Sequence, residues 1–205
     1  CHILFLAYYS WTYISITNVL LLPAVIGGFI VAIITIRKKE WAPITVPIYG
    51  VFQGIFLGII SNVFNTMYDG IVITAISYTL CILFALLSVY RLGLIKPTEN
   101  FKLGLAAATG GIAIVYLANF IMGFFGSGIP LMDINNSSMY SIGFSVFVIV
   151  IASMNLVVDF DFIEEGSEKG APKYMEWYGA FGLMVTLVWL YLEILKLLAK
   201  MNSRK

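Results

Sequence analysis

Short polar breaks divide the chain into seven apolar segments, at about 3–16, 19–36, 44–64, 70–90, 103–125, 139–163 and 174–199. The breaks read "ITN", "RKKEWAP", "SNVFNTMYDG", "RLGLIKPTENFK", "GSGIPLMDINNSS" and "EEGSEKGAPK", and none is long enough to form a soluble domain. A membrane-spanning helix needs roughly 20 apolar residues, a length that every segment but the first approaches or exceeds. The segments are too long for membrane strands and lack a two-residue alternation. The pattern therefore predicts an all-α fold, a polytopic membrane helical bundle of about seven transmembrane helices. Residues 1–205 read as a single integral membrane domain.

Composition supports lipid as the solvent. The chain is 60 % hydrophobic and 11 % charged, against about 45–50 % and about 25 % in soluble domains. Net charge is +1, so no basic field points to nucleic acid. Cys1 and Cys81 form no CxxC, and His2 is the only histidine, so neither a zinc set nor a disulfide framework is expected. The chain opens on Cys1, and its first apolar segment is short. The N-terminus is therefore read as truncated.

Lys and Arg set the expected orientation. Arg37, Lys38 and Lys39 follow segment two, and Arg91, Lys96 and Lys102 lie between segments four and five, so both loops are expected in the cytoplasm. The loops near 62–69 and 126–138 carry no Lys or Arg and are expected outside. A full seventh span then puts "KMNSRK" outside, against the charge bias. Either that tail is an exception or the last segment does not cross fully. "NNSS" matches the glycosylation pattern at Asn135 and Asn136, but a plain polar loop is the simpler reading.

Gly50, Gly54 and Gly58 recur every four residues in "GVFQGIFLG". Such a stripe lets helices approach closely in lipid and is read as a packing face. Pro23 and Pro47 fall in or near helix starts, where each can kink its helix.

The carboxylates carry the chemistry. "NLVVDFDFIEEG" places Asp159, Asp161, Glu164 and Glu165 at the end of an apolar run, and Glu193 stands inside "VTLVWLYLEILKLL". A charge at the bilayer centre costs about 2.5–3.5 kcal/mol on insertion scales, so such an acid is expected to find a partner inside the protein. Glu193 either pairs with another intramembrane acid or, less interestingly, snorkels or pairs with Lys196 or Lys200. Asp159 is the first choice of acidic partner and Asp161 the reserve. Glu176 is a further candidate to meet Asp159. Two carboxylates brought together share a proton and titrate as a unit. When ionised they attract a cation such as calcium, which favours oxygen ligands. Arg37 is either a counter-ion to such a pair or an interface anchor. Glu164, Glu165 and Glu168 are read as solvated loop charges.

These residues also carry a resemblance. "NLVVDFDFIEEG" and "GAPKYMEWYGAFGLMVTLVWLYLEILKLL" resemble the last two helices of the Bax inhibitor-1 (transmembrane BAX-inhibitor-motif) family, bacterial-type branch, and Ala42–Ser61 is similar to that branch's third span. In the family the sixth helix ends with an aspartate and the seventh carries "LYLD" or "LFLD". The matching positions here are Asp159 and Glu193. The resemblance implies seven helices and, for some members, a pH-sensitive calcium leak with the paired carboxylates as proton sensor and latch. Other members suppress cell death or modulate a membrane protease.

Two departures matter. The second acid is Glu, and 34 residues separate it from Asp159. On a straight helix Glu193 lies about 29 Å from Tyr174, while Asp159 lies only about 6 Å inside the end of segment six. Pairing therefore requires segment six to continue past Glu165, or segment seven to break near Gly179 or Gly182.

Two functions from different classes follow. One is a cation leak gated by protonation of Asp159 and Glu193, with calcium or protons as the carried ion and no cofactor. The other is a non-conducting regulator that binds a membrane protease or another membrane complex. HExxH, GxGD and a Ser/His pairing are all missing, so an enzyme is not expected. The expected location is the bacterial plasma membrane.

Overall fold

The computed structural model describes residues 14–126, 128–134 and 136–204. Over these residues the chain is helical, without strands. Its helices are α1 (Ile14–Arg37), α2 (Ala42–Met67), α3 (Ile71–Arg91), α4 (Glu99–Phe124), α5 (Met139–Glu168) and α6 (Tyr174–Asn202), with short 3-10 turns at Lys39–Trp41 and Pro130–Met132. Six helices among the described residues are long and apolar enough to cross a membrane. Large apolar side chains such as Leu22, Phe29, Ile73 and Ile114 lie exposed along them, as a lipid solvent requires. The protein is an integral membrane protein.

Of the expected seven or so spans, six fall among the described residues. Nearly all of segment 3–16 lies outside the described residues, and its last three residues belong to α1. The "ITN" break is therefore helical: Asn18 and its neighbours continue α1. A second correction concerns α5, which runs five residues past the expected end at 163 and makes Glu164, Glu165 and Glu168 helical. Those three remain exposed, and Glu165 pairs with Lys169. α6 continues through Gly179 and Gly182 as one helix. Pro23 and Pro47 both lie within helices.

Local chemistry explains the helix ends. Thr98 caps α4, its Oγ1 accepting from the Phe101 amide at 3.3 Å, with Glu99 in the first turn. Both features satisfy or complement the unpaired N–H groups there. Gly170 ends the α5 turn at φ +61°, a left-handed conformation that costs glycine little. The amides of Lys169 and Ala171 close that turn onto Glu165 and Gly166.

Within the 1–205 span, expected as one membrane domain, the chain forms two compact units. The first contains α1, α2, the end of α5 and the start of α6. Its core is Ala42, Val46, Tyr49 and Phe181, with the Tyr49 and Phe181 rings edge to face at 5.0 Å. Thr35 Oγ1 donates to Thr45 Oγ1 at 2.8 Å and joins α1 to α2. Gly50, Gly54 and Gly58 are all buried along α2. Arg37 closes α1 and is exposed.

The second unit contains α3, α4, α5 up to Asp161, and α6 from Val185. Val148, Ala152, Leu156 and Val157 of α5 and Leu190, Ile194 and Leu195 of α6 form its most buried surfaces. The acids of interest lie in this unit.

Candidate functional site

Antiparallel pairing of α5 and α6 places the site. Near one end, Lys200 Nζ donates to Ser141 O at 3.3 Å and to Ser145 Oγ at 2.9 Å. Further along, the Thr186 hydroxyl donates to the Asp159 carboxylate. Both pairings describe one register, because Ser145 to Asp159 and Thr186 to Lys200 each span 14 residues. In that register Glu193, midway between Thr186 and Lys200, falls at the level of fully buried Ala152.

Glu193 is 2 % exposed. Its Oε1 accepts from Lys196 Nζ at 2.5 Å and from Tyr116 OH at 2.7 Å. Lys196 Nζ also donates to Tyr116 OH at 3.2 Å and sits 4.6 Å from the centre of its ring. The three groups close a triangle between α6 and α4. Charge-assisted hydrogen bonds of this length are the strong kind, and the phenol face adds a cation–π attraction for the ammonium. A cavity of about 320 Å³ opens beside the triangle, lined by Tyr116, Asn119, Ser145, Glu193, Lys196 and Lys200 among others.

Asp159 has separate surroundings. Thr186 serves one end of the carboxylate, while its Oδ2 is buried with no hydrogen-bond partner among the described residues. Thr186 and Glu193 are seven residues apart on α6, close to two turns and about 10 Å of axial rise. The proton-sharing contact expected between Asp159 and Glu193 is therefore not formed. The continuation of α5 past Glu165 does deepen Asp159, but it brings the residue to Thr186 rather than to Glu193. Glu193 takes Lys196, the ion pair anticipated as its simpler fate.

Asp161 is engaged elsewhere. Its Oδ2 lies 2.7 Å from Lys102 Nζ, its Oδ1 accepts from Tyr90 OH at 3.4 Å, and Lys102 also bridges to Glu99 at 3.1 Å. This network fastens α5 to the start of α4 and to α3. Asn155 Nδ2 donates to Thr109 Oγ1 at 2.9 Å and makes a second polar tie from α5 to α4. Among the described residues, no three of His, Cys, Asp and Glu gather as a metal site.

The whole arrangement can be set beside known proteins. The model of the family described as Bax inhibitor 1 like matches residues 1–203. The chain belongs to the Bax inhibitor 1 like family. Searches of curated proteins and of solved structures gave no match. In this Bax inhibitor 1 like chain, then, the two acids carried by the resemblance occupy separate polar sites on one pair of helices.

Tyr116, Thr186 and Lys102 complete the site; the sequence pattern marks Lys102 only as an orientation charge and singles out neither of the other two. Tyr116 had a signal in "IAIVYLANF", a phenol in mid-span that must find a polar partner in lipid. Thr186 and Lys102 had no signal of these roles, which depend on the helix register. The register also fixes the C-terminal tail: Lys200 bonds Leu131 O at 2.9 Å, so α6 ends beside the 126–138 loop. The basic tail therefore starts beside the 130–132 turn, which lies in a stretch without Lys or Arg.

Proposed function

We propose that the chain is a non-enzymatic cation leak of a bacterial plasma membrane, with calcium as the carried ion. Its conduction is set by protonation of the intramembrane carboxylates Asp159 and Glu193. The observation that carries this reading is the buried Glu193–Lys196–Tyr116 triangle on the wall of a 320 Å³ cavity. Ionisable groups inside membrane helices are expensive and mark ion or proton paths. The family membership supports the same reading.

Calcium takes carboxylate and carbonyl oxygens. At Glu193 it competes with Lys196 for Oε1, so the ion pair is the closed condition and its opening frees an oxygen ligand. A protonated carboxylate offers no charge to either cation, so flux falls with acidity. Asp159 on α5, whose Oδ2 has no hydrogen-bond partner among the described residues, contributes a second oxygen about two turns away. Asp161, tied to Lys102, holds the helices in place, and Arg37 anchors the membrane interface.

The test is calcium flux into proteoliposomes between about pH 6 and about pH 8, for the wild type and Glu193→Gln. A leak that rises with pH and loses that dependence in the variant supports the reading. Folded protein with no flux above empty liposomes refutes it. That outcome favours a non-conducting regulator of a membrane protease or another membrane complex.

A further inference from the structure

Lys200 is two residues from the end of α6 and yet is 2 % exposed. A lysine at a membrane helix end ordinarily snorkels, laying its stem on apolar surface and its ammonium in water. Lys200 turns inward instead. Its ammonium has three donors, and three oxygens receive them: Leu131 O at 2.9 Å, Ser145 Oγ at 2.9 Å and Ser141 O at 3.3 Å. All three are neutral, two of them backbone carbonyls, the same kind of oxygen that replaces hydration in cation filters. Glu193 and Asp133 supply the negative field around the ammonium, and Lys196 opposes it. The oxygens belong to two other stretches of chain, the 130–132 turn and the first turns of α5, so they do not cap Lys200's own helix. The same side chain forms part of the cavity wall beside Glu193.

We propose that these three oxygens form a site for a primary ammonium group, and that Lys200 fills it as a tethered cation plugging one end of the cavity. The consequence for flux rests on the leak reading above, whereas the site itself does not. While Lys200 is seated, its positive charge repels any cation leaving the cavity by that end. When it withdraws, the three oxygens are open to a free primary ammonium.

The test uses the full chain in nanodiscs with Lys200→Ala, which removes the atoms of an n-propylammonium ion and leaves their space. n-Propylammonium is expected to raise the Tm of the variant by about 4 °C when well above its Kd, and to leave the wild type unchanged. Tetramethylammonium, a cation without N–H donors, is expected to shift neither. Equal shifts by the two cations, or no shift by either, would overturn the proposal.

A second measurement covers the case in which Lys200→Ala does not fold. In the wild type, acylation of Lys200 followed by mass spectrometry is expected to run at least tenfold slower than at exposed Lys169, and Ser145→Ala is expected to speed it severalfold. Lys200 labelling as fast as Lys169 contradicts the plug. Flux separates the two readings. If n-propylammonium stabilises Lys200→Ala but no variant conducts, the ammonium site stands and the leak falls. A leak that Lys200→Ala enlarges and n-propylammonium suppresses supports both.

Discussion

Asp159 and Glu193 stand on facing helices of one unit but about two helical turns apart, because Asp159 meets Thr186 while Glu193 meets Lys196 and Tyr116. The two acids therefore respond differently to neutralisation. One is satisfied by a cation, and the other holds a buried oxygen without a partner among the described residues.

Glu193→Gln removes the charge that Lys196 and Tyr116 converge on. Truncating one member of a buried ion pair costs about 3–5 kcal/mol, and the partial exposure of Lys196 reduces this toward about 2 kcal/mol. A lower Tm is expected, and the double variant Glu193→Gln/Lys196→Met should recover part of the loss. A coupling energy near zero in that cycle would mean that the contact contributes nothing.

Asp159→Asn is expected to act in the opposite direction. The buried Oδ2 lacks a partner among the described residues, and an unpaired charge is the costliest group to bury. Replacing the carboxylate by an amide keeps the Thr186 bond and is expected to stabilise by about 1 kcal/mol. A Tm decrease matching that of Glu193→Gln would show that Asp159 has a cationic partner after all.

The glycines of the helices separate into two kinds. A Cβ on Gly179 would meet Ile163 Cγ1 at 2.8 Å, whereas one on Gly110 meets nothing within 4 Å. Gly179→Ala is expected to cost about 1–3 kcal/mol through overpacking. Gly110→Ala is expected to be neutral or to gain up to about 1 kcal/mol from helix propensity. Equal Tm values for the two variants would remove the close packing of α5 on α6 at this point.

An all-helical membrane bundle of about seven spans, lipid as solvent and a polar partner for Glu193 inside the protein were legible in the sequence, since apolar length and a lone acid in "LYLEIL" need no tertiary information. Helix ends were less legible. "FIEEGSE" reads as loop by polarity but stays helical until Gly170 offers a left-handed turn, and "ITN" is too short a polar stretch to interrupt a helix. The partner of each acid could not be read, because it depends on how α5 and α6 slide past each other. That register is fixed by Lys200 in the Ser141–Ser145 turn and by Gly179 against Ile163, contacts that no local pattern announces. Lys196 stood three residues from Glu193 and was visible as a helical neighbour. Tyr116 was 77 residues away in the chain.

The register that keeps the two acids apart can be read by disulfide trapping. In a background with both native cysteines replaced by serine, Asp159→Cys is paired with Thr186→Cys or with Glu193→Cys and exposed to a mild oxidant in the membrane. A disulfide needs Cα atoms within about 7 Å. Rapid crosslinking of the 159/186 pair and none of the 159/193 pair is expected. Efficient crosslinking of 159 to 193, with 186 unreactive, would contradict this register and restore a direct carboxylate pair.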